Sequence, residues 1–596
     1  MLVLAGPGAG KTRTLVGRLV RLIKSGVPAS SIVAVTFTRR AAEEMRQRLA
    51  AALAAEMPEG SAPALPETDT LHALALKRWP GEQPVVLSEE GARKAFAAAN
   101  PELDKKEAAR LCSLMELGRE TLDMPAELAP LVERYRRWKK ERGLADYTDL
   151  PETWLAELNS RNYGAAKPWE HILVDEVQDL SPLQKALVEA ITPADGSGFF
   201  GIGDPDQSIY GFRGADSGIE SALRARWPEL AVLSLTESHR SASAILEAGH
   251  DALAGRGACG QLSSVTGTSA TLQWMDAPSA EREAAWIADR IAYLIGGTSH
   301  QQADQHETLA NCHLEAGSCS PGEIAVLCRL KALIPPIRAA LERRGIPCAA
   351  PEAEAFWADE RVDLILQAAA RFLQKKEHDK KEAAFLDAAR FPLLAAMAPP
   401  VQAAPVVEGP LDSVPSAVWK QGPEAVLAHA DSQTPAVFDP LFAESTAFRR
   451  LCRAWDEHKD WPALLEFVAF RREIDMVQGQ AEHVQLMTMH ASKGLEFKAV
   501  FIPAAEDGLL PFRGVDALLG KADSDFAPPA EDEEERLLYV GITRASEAVF
   551  LSSAARRTLY GKTLELRPSP LLPLHHFREV KLTKHTKKTA SQLSLF

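Results

Sequence analysis

The sequence predicts an α/β protein with two cores of parallel sheet, each interrupted by a mainly helical insertion. Three observations carry this reading. The chain opens on an apolar run, a glycine-rich turn, an amphipathic helix and a second apolar run, the start of a doubly wound sheet. Apolar runs ending in acidic residues return after about ninety charged, helix-patterned residues. A second set of short apolar runs begins near residue 270 and is itself broken by an Ala/Pro-rich stretch. The length of 596 residues suits about four domains or subdomains, and 46% hydrophobic with 25% charged residues excludes a disordered chain or a small stapled scaffold. A net charge of −14 argues against coating nucleic acid by bulk charge, but it leaves room for a local basic groove.

In chain order, Met1–Ala5 reads as a buried strand, Gly6–Thr12 as a turn, and the following residues to about Lys24 as a helix. Ile32–Phe37 is a second strand leading into a helix with Arg39, Arg40, Glu43 and Glu44 in its first turns. Residues 81–168 are helical and charged and include the basic, aromatic-interleaved segment Arg134–Arg142, suited equally to a DNA backbone or to solvent. Strands return at His171–Val174 and Gly198–Ile202, and in the second core at Glu323–Cys328, Val484–Thr488, Ala499–Ile502 and Ala548–Leu551. The domains expected are therefore 1–80 with 169–245, the insertion 81–168, 246–375 with 481–560, the insertion 376–480, and a flexible tail 575–596. Seven cysteines without a CxxC pair fit a reducing compartment. The Cys/His-dense stretch His300–Cys319 matches no zinc spacing and reads as a polar insertion. No apolar run approaches the ~18–20 residues that span a bilayer, and no signal-peptide n-region opens the chain, so a cytoplasmic protein is expected.

Chemistry concentrates after the strands. Ala5-Gly6-Pro7-Gly8-Ala9-Gly10-Lys11-Thr12 fits a P-loop whose backbone N–H groups cradle phosphates at a helix N-terminus. Lys11 would reach the terminal phosphates and Thr12 would ligate Mg²⁺. His171-Ile-Leu-Val174 ends in Asp175 and Glu176, a metal ligand beside a group that polarises attacking water. A third strand ends at Asp204, and the amide of Gln207 is placed to sense the γ-phosphate; Tyr210, Phe212 and Arg213 follow.

With these residues in place, the chain resembles the UvrD/Rep/PcrA type of superfamily 1 DNA helicase. Seven blocks carry the likeness in the family's order: AGPGAGKT, VAVTFTRRAAEEM, TLHALAL, ILVDEVQDLSPLQ, GDPDQSIYGFRGAD, LMTMHASKGLEF and EEERLLYVGITRA. The resemblance implies two RecA-like cores, ATP and Mg²⁺ as cofactors, and 3′→5′ movement on single-stranded DNA and its junctions with duplex, in repair, replication or recombination. It implies arginine fingers at Arg240 and Arg544, and a ribose contact at Glu496. It also places Phe37, His72, Tyr210, Phe212, Thr488 and His490 along the DNA strand, where aromatic faces stack on bases of any sequence. The last residues, Gln592-Leu593-Ser-Leu595-Phe596, resemble the peptide by which bacterial DNA enzymes bind the sliding clamp, and a bacterial, nucleoid-associated setting follows. From His575 onward five Lys/Arg and one Glu give the tail a net +4 against −18 for the body.

Two departures qualify the resemblance. The family's glutamine-bearing, adenine-reading segment before the first strand is missing, as if the chain were cut, started at an internal Met, or recognised adenine less strictly. Arg13 is expected to offset that loss by lying over the base. His239 also stands where an aromatic commonly packs on adenine. The absent segment motivates an alternative, a clamp-tethered DNA-binding module with impaired ATPase.

Overall fold

Strand β1 (Leu2–Ala5) is apolar at every position because both of its faces are covered. It lies in a parallel sheet with β2 (Ile32–Thr36), β3 (Glu67–Thr70), β4 (His171–Val174), β5 (Phe199–Gly203) and β6 (Val232–Leu235), in the order β3-β2-β4-β5-β1-β6. Alternate residues face opposite layers. Val3, Ile32, Ala34, Leu173 and Ile202 pack with Leu15 and Leu19 of α1 (Lys11–Lys24) and Met45 and Leu49 of α2 (Arg39–Glu56). Leu2, Leu4, Val33, Val35, Ile172 and Val174 face the other layer, with Leu71, Leu74, Trp154 and Leu187. The computed structural model describes residues 1–56, 64–160, 169–211, 218–297, 314–349, 356–379, 411, 413–433, 438, 442–468, 482–520 and 530–581.

The second sheet is also parallel. Its strands are β7 (Thr271–Ala277), β8 (Ile324–Cys328), β9 (Cys348–Ala349), β10 (Val484–Thr488), β11 (Phe497–Ile502), β12 (Ala545–Ala554) and β13 (Arg578–Glu579). Their spatial order is β9-β10-β8-β11-β12-β7-β13. Each sheet has its own two apolar layers, so the chain holds two RecA-like α/β cores, as the sequence predicts.

Three boundaries differ from the sequence reading. Residues 241–252, assigned in part to the first core, pack on the second, apart from Leu246, which joins the first core's layer. Ala242, Ile245 and Ala248 join its apolar layer, and the Ser241 hydroxyl donates to the Ala545 carbonyl at 2.6 Å. The boundary expected at 375/376 falls inside the helix Glu360–Asp379, which places Val362, Ile365 and Leu366 in the insertion's own cluster with Trp419, Leu451 and Leu464. The tail expected from 575 is not free at its root, because Arg578–Glu579 pair with β7 and bury Phe577 and Val580. Apolar contacts made across distance decide all three, and local composition does not carry them. Residues 582–596, most of His300–Cys319, and the Ala/Pro-rich stretch through 410 lie outside the described residues.

The first insertion packs α3 (Glu89–Ala99), α4 (Lys105–Thr121) and α5 (Ala129–Lys140) around Phe96, Cys112, Met115 and Tyr135, whereas α6 (Asp149–Ser160), expected within the same insertion, packs Leu150 and Trp154 on the first core. Its basic segment is largely engaged within the protein. Lys139 is buried and pairs with Asp146 and Asp149, Arg136 pairs with Glu152, and the Arg142 guanidinium lies 4.2 Å from the Trp138 ring centroid. Buried Arg119 completes the network, donating to Asp146 at 2.8 Å, Asp149 at 2.7 Å and Glu152 at 2.9 Å. Burial by itself opposes its charge, but these carboxylates hold its pKa well above the usual value. Arg119→Ala should therefore destabilise the insertion by about 3–5 kcal/mol, the usual cost of stranding buried charge. Faster amide exchange across residues 89–160 is the expected readout, and unchanged protection would contradict it.

Candidate nucleotide and DNA site at the junction of the cores

The P-loop, Asp175 and Asp204 all lie at the carboxyl ends of β1, β4 and β5, where open parallel sheets bind ligands. Gly8 and Gly10 adopt left-handed backbone (φ 73° and 82°). Only glycine fits at Gly8, since a Cβ there would stand 2.5 Å from Cβ of Arg240. The loop is pinned by two bonds from the following segment: the Ser238 hydroxyl donates to the Pro7 carbonyl at 2.9 Å, and the His239 N–H to the Gly8 carbonyl at 3.0 Å. Lys11 Nζ has a long 3.4 Å bond to the Ala5 carbonyl and lies 3.9 Å from Glu176, a cation only loosely held.

Glu176 sits in the left-handed region, a strained position for a side chain (φ 48°). Gln178 Nε2 donates to its Oε2 at 2.6 Å. Burial pushes the Glu176 carboxyl up, but Lys11, then Lys493 and the Gln178 bond, bring it below the usual carboxylate range. Asp175 goes the other way: burial, then the neighbouring Glu176, push it up to about 7. The two adjacent carboxylates are thus driven apart, Glu176 held ionised and Asp175 drawn toward its neutral form.

The second core closes the site. Arg544, only 2% exposed, donates from Nη2 to Gln207 Oε1 at 3.1 Å and from Nε and Nη1 to the Val540 and Leu495 carbonyls. Burial first, and Arg240 second, lower its pKa to about 10. Gln207 in turn donates to Asp204 at 2.7 Å. Arg240 and Glu496, assigned separate roles from sequence, bond to each other at 2.8 Å. Loosely held Lys11, two mutually repelling guanidinium groups and a glycine cradle make a donor set that fits a polyphosphate. Asp175 and Thr12 are the residues that would hold its magnesium.

Of the residues expected along DNA, Phe37 at the end of β2 stacks on Tyr210 with ring centroids 5.3 Å apart and an interplanar angle of 16°. His72 meets Tyr147 edge-on at 5.9 Å, and burial holds its pKa below the usual value. These four rings line a cavity of about 650 Å³ between the first core and its insertion, which reaches back to Asp175 and Glu176. Thr488 and His490 flank the end of β10, and the Thr488 hydroxyl accepts the Ala491 N–H at 3.3 Å. Arg13 is exposed and lines a groove between α1 and α2 with Lys24 and Glu56. Phe212 lies outside the described residues.

Sequence reasoning overlooked Lys493. Its ammonium reaches across the core junction to Asp179 at 2.6 Å and the Gln207 carbonyl at 2.5 Å, and stands 5.1 Å from the Tyr210 centroid. It therefore touches both the acidic strand end and the aromatic stack. The available signal was its place three residues beyond His490 in the same block as Glu496.

Two parallel-sheet cores meeting over a P-loop, with a buried arginine from one core reaching the other's glutamine, define a two-core P-loop NTPase. The family models agree: residues 1–213 match an AAA domain and residues 449–556 the UvrD-like helicase C-terminal domain. The chain is 30% identical to ATP-dependent DNA helicase UvrD2 of Mycobacterium tuberculosis, over 94% of this chain and 77% of that protein. It is 27% identical to DNA helicase II of Salmonella typhimurium (99% and 88%) and 27% identical to ATP-dependent DNA helicase Rep of Escherichia coli (96% and 91%). The chain belongs to the UvrD/Rep family of superfamily 1 ATP-dependent DNA helicases. Among the described residues no helix is long and apolar enough to cross a membrane.

Proposed function

We propose that this chain is an ATP-dependent DNA helicase that moves 3′→5′ along single-stranded DNA and acts at junctions in repair, replication or recombination. The observation that carries it is the continuity of one cleft: the cavity lined by Phe37, His72 and Tyr210 runs to Asp175 and Glu176, and Lys493 touches both ends. Bound ATP with Mg²⁺ would supply the hydrolysable phosphoanhydride. Gly6, Pro7, Gly8, Ala9 and Gly10 present backbone to the phosphates and Lys11 adds charge, while Thr12 and Asp175 hold the metal. Glu176 orients and deprotonates water, Gln207 reports the terminal phosphate to Arg544, and Arg240 neutralises charge after leaving Glu496. Glu496 is then free for the sugar. Stacked aromatics bind any base sequence, at about 1–3 kcal/mol each, as a translocating motor requires.

Single-stranded DNA should raise the ATPase rate at least about tenfold, and Lys11→Ala should abolish turnover with or without DNA; the two are read in one steady-state assay. Hydrolysis indifferent to DNA would sink the motor reading. The alternative, a clamp-tethered binding module with impaired ATPase, predicts DNA retention without labelled ATP in filter binding. It is the less favoured reading, and the 3.9 Å approach of Lys11 to Glu176 together with the Arg544–Gln207 bond supports the hydrolytic one.

The tail reading rests on the peptide Gln592, Leu593, Leu595 and Phe596, together with the basic charge before it. Leu595 and Phe596 would fill an apolar pocket on a bacterial sliding clamp, and Gln592 would hydrogen-bond at its rim. Deleting residues 592–596 should reduce clamp affinity at least about tenfold, a loss near 1.4 kcal/mol, and leave DNA-stimulated ATPase intact. Unchanged affinity by surface plasmon resonance refutes the assignment.

A further inference from the structure

A separate cluster lies on the second core. Asp251, near the end of the helix Ser243–Ala252, faces the turn Leu574–His576 that leads into β13. Nε2 of His575 and Nε2 of His576 each stand 2.8 Å from the same Asp251 Oδ2, and the two imidazole centroids are 4.2 Å apart. The three ligand atoms all lie within 4.8 Å of one another. The histidines are adjacent in sequence, but the tight turn aims both ring nitrogens at one oxygen more than 320 residues away.

We propose that Asp251, His575 and His576 form a binding site for a transition-metal dication of the zinc class. Two imidazole nitrogens and one carboxylate oxygen are a borderline-soft set that suits Zn²⁺. Tetrahedral zinc, with bonds of about 2.0–2.2 Å, sets its ligand atoms about 3.3 Å apart. Each nitrogen–oxygen pair must therefore open by about half an ångström, a small swing for His575, whose side chain is 68% exposed. Solvent completes the fourth position. Mg²⁺, which the nucleotide site uses, prefers six oxygen ligands and is selected against here. The metal would staple the second sheet's edge strand and the root of the tail to the helix that packs on Glu531–Ile542, the helix leading to Arg544. The site is independent of the nucleotide and clamp readings.

The test titrates the full-length, chelator-treated protein with Zn²⁺ alone by calorimetry, beside Asp251→Asn, His575→Asn and the His575→Asn/His576→Asn pair. Asn at 251 keeps an oxygen that accepts from the imidazole N–H groups, so a cluster held only by hydrogen bonds tolerates it and a metal site does not. Wild type should take up one Zn²⁺, each variant should bind at least about tenfold more weakly, and Mg²⁺ should not compete. Zinc should also raise the wild-type thermal midpoint, and circular dichroism checks that the variants remain folded. The proposal is overturned if wild type takes up no zinc, or if its uptake survives undiminished in Asp251→Asn and the double variant.

Discussion

Glu176→Gln is expected to lower ATP turnover by about 10²–10⁴-fold, the range for removing a general base, while nucleotide binding stays within a few-fold of wild type. The substitution keeps the shape and removes only the charge. That charge is what the surroundings maintain: Lys11 and Lys493 hold the Glu176 carboxyl ionised while neighbouring Asp175 is pushed up to about 7. The backbone at this residue is in the left-handed region (φ 48°), and its carboxylate lies 3.9 Å from Lys11. Binding is read by fluorescent-nucleotide titration and turnover by phosphate release with saturating single-stranded DNA. Near-wild-type turnover would remove Glu176 from the chemistry and shift the base role to another carboxylate, Asp179 first.

Arg544→Ala should cost about 10³–10⁵-fold in kcat, the range for an arginine finger. Its guanidinium is nearly buried and already reaches Gln207 across the core junction. Burial and nearby Arg240 lower its pKa to about 10, so it stays cationic throughout the working pH range, and an anion between the two would relieve their repulsion. Alanine also removes the bonds to the Val540 and Leu495 carbonyls, a structural loss separate from the chemical one; Arg544→Lys separates the two effects. Lysine keeps the charge but loses the planar fork, so it should remain folded and still fall well below wild type in kcat, with single-stranded DNA affinity unchanged. A lysine variant at full activity would make Arg544 a structural cross-link only.

Much of the fold was legible because buried parallel strands are apolar on both faces and stand out as short runs, as at Leu2–Ala5, Ile32–Thr36 and His171–Val174. Edge strands did not stand out. Glu67–Thr70 is polar along its length and Val232–Leu235 half-exposed, since each has a neighbour on one side only. The P-loop and the Asp175–Glu176 pair were legible for a related reason: strand, turn and helix N-terminus are contiguous in sequence, so their spacing is their geometry.

The sequence by itself determined the class of protein, the cradle for phosphate and the acidic strand end, because each is encoded within a dozen residues by backbone preference and residue type. Only the tertiary structure decided which distant groups meet. It paired Arg240 with Glu496, stacked Phe37 on Tyr210, sent Lys493 to Asp179, and drew the root of the tail into the second sheet beside Asp251. Those contacts join residues as many as 324 positions apart. They depend on how two packed cores fit together, a property that no local pattern of charge or hydropathy records.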